Sequence, residues 1–136
     1  MKRKKIVWIE DDYDEIPAMV RLFELDNHEI KRYRTRSDVK NDREYVCDCD
    51  VIILDIILPS IEDEPYQGVW VLRDLRQEWG YDGPVVVCTV VKNPEVMTAL
   101  EKLGVTCILI KPVRPSVLYN QVNMVWQIEG KNKADD

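Results

Sequence analysis

The chain has 136 residues, 46% hydrophobic and 32% charged, a balance that supports one folded domain with its own core and excludes a disordered segment. Its formal net charge of −6 argues against a general nucleic-acid surface, and no apolar run approaches the roughly 20 residues of a membrane span. The basic start Met1-Lys2-Arg3-Lys4-Lys5 lacks the small-residue cleavage site of an export signal, so a cytoplasmic protein is expected.

In chain order, Lys5 to Ile9 is a first apolar strand and ends in Glu10-Asp11-Asp12. Ile16, Val20 and Phe23 mark one face of a helix over 14–25, with Asp14 as N-cap and Pro17 in the first turn, where proline is tolerated. His28 to Tyr33 alternates as a second strand, exposed enough to lie at a sheet edge. His28, the only histidine, is expected at the surface. Ser37 to Val46 has a weaker helical spacing through Val39 and Val46, with Ser37 as cap. Asp50-Val51-Ile52-Ile53-Leu54-Asp55-Ile56-Ile57-Leu58-Pro59 reads as a buried parallel strand, being short and rich in Ile and Val.

A polar loop, Ser60 to Gln67, carries Glu62, Asp63 and Glu64, and then Val69, Leu72, Leu75 and Trp79 mark a helix face. Val85 to Val91 is a strand apolar on both faces. Asn93-Pro94 is a cap-and-N1 start for a helix with Val96, Leu100 and Leu103 inward and Gly104 closing it. Val105 to Ile110 is the fifth strand and runs into Lys111-Pro112. A last helix from Pro115 carries Leu118, Val122, Val125 and Ile128, with a polar tail over 131–136.

Five strands alternating with five helices predict an α/β fold, a doubly wound parallel sheet covered on both faces, within one domain over 1–130. Cys88 and Cys107 lie inside strands as small hydrophobes, and Cys47-Asp48-Cys49 has no second pair or nearby histidine to make a metal site.

In an open parallel sheet, ligands bind outside the carboxyl ends of the strands. Strand one presents Glu10, Asp11 and Asp12 there, strand three Asp55, strand four Thr89 and strand five Lys111. Nothing structural asks for an aspartate where an apolar strand ends, and an unpaired buried carboxylate is costly. Several carboxylates in one pocket repel one another unless a cation relieves them, and Mg²⁺ prefers a few carboxylates, waters and a phosphate oxygen. A hydroxyl and an ammonium suit the remaining phosphoryl oxygens, leaving Asp55 as a nucleophile able to form an aspartyl phosphate.

Glu10-Asp11 after strand one, Asp55 with Pro59 four residues on, Thr89 ending strand four and Lys111-Pro112 ending strand five together resemble the receiver domain of two-component response regulators. The resemblance covers essentially the whole chain. It implies a flavodoxin-like three-layer sandwich with strand order 2-1-3-4-5. It also implies that Asp55 accepts a phosphoryl group. Asp11 is then the direct Mg²⁺ ligand, Glu10 helps through water, and Asp55 and the Ile57 carbonyl complete the set. Thr89 and Lys111 would bind the phosphoryl group, and Asp12 is peripheral. The implied donor is a sensor histidine kinase or a histidine phosphotransfer protein, and the chain is an acceptor rather than a turnover enzyme. Only seven residues lie beyond Glu129, so a stand-alone receiver signalling to an unknown output protein is expected, by contact or onward phosphotransfer, without direct nucleic-acid or membrane binding.

The sequence departs from the family at several points. The switch position three residues before the lysine, usually aromatic, is Ile108, and the residue after Thr89, usually small, is Val90. The longer loop Ser60 to Gln67 places acids at the rim of the site, where charge steers partners. Ile57 and Val91, two residues beyond Asp55 and Thr89, are apolar and cannot orient an attacking water. Slow autodephosphorylation is therefore expected, and the resemblance implies a phosphoryl group lasting hours rather than seconds. The alternative reading is a phosphorylation-independent protein-binding module on the same fold. A phosphohydrolase using Asp12-Tyr13-Asp14 would leave Asp55 without a role.

Overall fold

A computed structural model describes residues 3–12, 16–60 and 64–134, with side chains described at all of these except 16 and 127–134. Five parallel strands, β1 (Lys5–Ile9), β2 (Glu29–Tyr33), β3 (Val51–Leu54), β4 (Val85–Thr89) and β5 (Cys107–Ile110), form one sheet in the order β2-β1-β3-β4-β5. This is the flavodoxin-like order implied by the resemblance, with β2 at an edge as its exposure predicts. Strand alternation sends Ile6 and Trp8 to one face and Val7 and Ile9 to the other. On the first face they meet Val20 and Phe23 of α1 (Ile16–Leu25) and Leu118, Val122 and Val125 of α6 (Pro115–Ala134). On the second they meet Val39 of α2 (Arg36–Asn41), Val46 of α3 (Arg43–Cys47), Leu72 of α4 (Gln67–Arg73) and Leu100 of α5 (Pro94–Lys102). Cys88 is buried in β4, as a small hydrophobe should be. No helix among the described residues is long and apolar enough to cross a membrane.

Four details differ from the sequence-based expectation. The single helix expected over 37–46 is two, because Asp42 leaves the helical region (φ −125°, ψ 29°) while its carboxylate accepts from Lys31 Nζ at 2.6 Å and from the Tyr33 hydroxyl at 2.5 Å. Thr35, not Ser37, caps α2, its Oγ1 accepting from the Asp38 amide at 3.1 Å. The helix over 67–79 does not stay α-helical: a π-helical turn, Asp74–Glu78, follows α4 and is closed by the Trp79 amide on the Asp74 carbonyl at 2.8 Å. His28, expected at the surface, is 5% exposed, with Nδ1 accepting from the Lys4 amide at 3.0 Å and its ring 5.0 Å from that of Trp126. Asn93 caps α5 as expected, and Gly104 ends that segment at φ 75°. Asp14, Glu62 and Asp63, and the Ile128 side chain, lie outside the described residues.

Candidate functional site

β1 and β3 pair with Ile9 opposite Leu54, so the next residues, Glu10 and Asp55, leave the sheet side by side. The Asp55 amide donates to the Ile9 carbonyl at 2.9 Å, tying the second carboxylate to the strand that carries the first. At the far side of the sheet the Lys111 amide donates to the Thr89 carbonyl at 2.9 Å, which anchors the end of β5 to β4. From there the Lys111 side chain reaches both carboxylates, with Nζ 2.7 Å from Glu10 Oε2 and 2.9 Å from Asp55 Oδ2. These three side chains are 13%, 5% and 8% exposed for Lys111, Glu10 and Asp55, so one ammonium serves two carboxylates almost out of water.

One negative charge is therefore in excess at a place where solvent screens it poorly. Burial raises the Glu10 pKa to about 7, the charge of Asp55 adds to the effect, and the hydrogen bond from Lys111 opposes it. Burial by itself would lower the pKa of Lys111, but its hydrogen bonds to Glu10 and Asp55 outweigh that and hold it above the ordinary lysine range.

Asp55 Oδ1 accepts from the Ile57 amide at 3.1 Å, which fixes the carboxylate's rotation. Asp11 is half-buried beside Glu10. Asp12 is exposed, its amide making a long 3.4 Å approach to Glu10 Oε1. Thr89 is fully buried and its Oγ1 accepts from the Val91 amide at 3.4 Å. Glu10, Asp55 and Lys111 are thus in direct contact, whereas Asp11 and Thr89 flank them without a hydrogen bond to the Asp55 carboxylate. Ile57 is 37% and Val90 55% exposed at the rim, and Ile108 is half-buried against the larger core, with no ring to rotate. Of the acidic loop, Glu64 turns to α4 and accepts from Trp70 Nε1 at 2.7 Å.

One residue of the site escaped the sequence reading. Gly68, in the first turn of α4, lies so close to the end of β3 that a Cβ there would fall 2.3 Å from the Asp55 carbonyl oxygen and 2.5 Å from the Ile56 Cα. Its amide donates to the Ile56 carbonyl at 2.9 Å. Both neighbours are backbone, so only glycine lets α4 seat against the segment that carries Asp55.

The donor set suits a hard cation. Two buried carboxylates share a single ammonium, and Glu10 is held back from ionising by burial and by its neighbour. Among the described residues no three such side chains converge tightly enough to enclose an ion.

A family model described as the response regulator receiver domain matches residues 6–123. The chain belongs to that family. Among solved structures it is similar to a CheY-like response regulator receiver domain protein of Methanospirillum hungatei, at 16% identity and a TM-score of 0.81, covering 96% of this chain and 99% of that one. It is also similar to the chemotaxis protein CheY4 of Vibrio cholerae (19%, TM-score 0.76, 91% and 99% covered) and to the activated N-terminal receiver domain of RstA from Klebsiella pneumoniae (24%, TM-score 0.70, 88% and 96% covered). At these identities the structural likeness shows the receiver fold. No curated protein sequence matches the chain.

Proposed function

We propose that this receiver domain accepts a phosphoryl group on Asp55 from a phosphohistidine of a sensor kinase or phosphotransfer protein, in a Mg²⁺-dependent reaction. The observation that supports it most is the Glu10–Lys111–Asp55 cluster, a buried carboxylate oriented by its neighbours and left short of positive charge. Asp55 is the nucleophile: a carboxylate oxygen attacks phosphorus while the imidazole of the donor leaves. Lys111, already within hydrogen-bond reach of Asp55, turns an ammonium hydrogen onto the incoming phosphoryl oxygens and offsets their charge. Thr89 holds its hydroxyl at the end of β4 for a further oxygen. Glu10, Asp11, Asp55 and the Ile57 carbonyl would hold the Mg²⁺, which supplies charge neutralisation for the attacking carboxylate and the phosphoryl group. Ile57 and Val91 offer no group to position water, so the aspartyl phosphate is long-lived. The chain acts as a switch that is loaded once per signal, and its output is a protein contact or a further phosphotransfer.

Beryllofluoride with Mg²⁺ tests this reading, because it occupies a phosphoacceptor site without chemistry. The expected result is a saturable shift of the amide resonances of Ile57, Thr89 and Lys111 that Asp55→Asn abolishes. No shift under conditions where another receiver responds would contradict it and favour the phosphorylation-independent module.

A further inference from the structure

An open groove of about 780 Å³ lies on the face away from α1 and α6, between α2, the segment just past Asp55 and the α4–π helix. Its size is that of a site for a ligand or a short chain segment. Two features separate it from a packing gap. Arg36 of α2 donates to both carboxylate oxygens of Asp74, at 2.8 and 3.2 Å, so a polar strut joins the walls where apolar side chains would have closed them. The π-helical turn forms the opposite wall: its wide turn inserts an extra residue and carries Asp74, Glu78 and Trp79 to the groove. Such turns are rare and are frequently found at functional sites.

The charges on the two walls differ. Lys40 of α2 and Glu78 of the π turn are both exposed, and among the described residues neither side chain has a hydrogen bond or an ion pair. Trp79 and Pro59 add apolar surface to the same lining. A simple anion would meet Glu78 and a simple cation Lys40, so either is repelled by one wall. A ligand with both charges and an apolar centre satisfies all of it. We propose that the groove docks a short segment of a partner protein, its apolar side chain on Trp79 and Pro59, an acidic residue toward Lys40 and a basic residue toward Glu78. Pro59 leaves the same short segment as Asp55, so the docked chain touches the connection from the phosphoacceptor. The proposal does not rest on phosphorylation of Asp55.

The test pans a displayed library of random peptides of about 12 residues against the full chain, then titrates the selected peptides, as synthetic peptides, into nitrogen-15-labelled protein. The expected shifts fall on residues 35–40, 59–60 and 74–79. Lys40→Glu and Glu78→Lys each weaken binding by about tenfold, and the double swap recovers a peptide whose two charges are exchanged. Both side chains are exposed and unpaired among the described residues, and unchanged thermal unfolding and unchanged amide resonances away from the groove show that the variants are sound. Shifts elsewhere, affinities that both variants leave within about twofold, or no peptide binding tighter than about 1 mM would overturn the proposal. So would a concentration-dependent dimer that shifts these same residues, since a second copy of the chain would then be the occupant.

Discussion

At the carboxyl end of the sheet one ammonium, Lys111, serves two buried carboxylates; at the amino end one guanidinium, Arg76, serves four backbone carbonyls. Arg76 donates to Leu103 at 3.0 Å, Tyr81 at 2.7 Å, Gly83 at 2.8 Å and Gly104 at 2.9 Å, and so ties the π turn to the chain entering β4 and β5. Beside it the buried Tyr81 hydroxyl donates to the Pro84 carbonyl at 2.9 Å. There the polar groups are matched, and the arrangement holds the π turn to the sheet. The carboxyl end is short of one positive charge, so it gains when a cation or an added donor arrives. The same fold thus separates a saturated end that contributes stability from an unsaturated end to which the proposed chemistry is assigned.

Lys111→Met keeps the length of the side chain and removes the charge, and it should break this contrast most strongly. Phosphorylation by acetyl phosphate is expected to slow by about 10²-fold or more, read by the rate of adduct formation. Gly68→Val pushes a side chain into the Asp55 and Ile56 backbone; it is expected to lower stability by about 1–3 kcal/mol in urea unfolding and to slow phosphorylation as well, because Asp55 moves. Arg76→Met works on the other end alone. It leaves carbonyls unpaired, and a loss of about 1–3 kcal/mol with a phosphorylation rate unchanged within about twofold is expected. A large drop in rate would show that the two ends are not separate.

The smallest effect concerns His28. Burial lowers its pKa below the ordinary 6.5. Below about pH 6.5 the unfolded chain therefore takes up a proton that the folded chain resists. Its contribution is fully present above that pH and is lost as pH falls toward the folded value. The stability difference between wild type and His28→Gln should shrink from about pH 7.5 to about pH 5.5, and a flat difference would contradict the buried, neutral imidazole.

The residues of the cluster were legible in the sequence for a local reason. Glu10, Asp55 and Lys111 each interrupt an apolar run at its end, and strand alternation with helices places those ends together. What was not legible depends on distant partners. His28 is buried because Trp126, far along the chain, covers it. The helix expected over 37–46 breaks because Lys31 and Tyr33 on the edge strand claim the Asp42 carboxylate. Gly68 merely follows the polar loop in the sequence, and its necessity arises only when α4 seats on β3. The π turn leaves Leu72 and Leu75 on their expected buried face, so the spacing of apolar residues carries no mark of it.

Mass spectrometry after acetyl phosphate and Mg²⁺ treatment, with Asp55→Asn alongside, bears most directly on the proposed phosphoacceptor role of the charge-deficient end. The expected result is a single phosphoryl adduct on the wild-type chain that is absent from the mutant and from samples without Mg²⁺. An adduct of the same size on Asp55→Asn would contradict the assignment of Asp55.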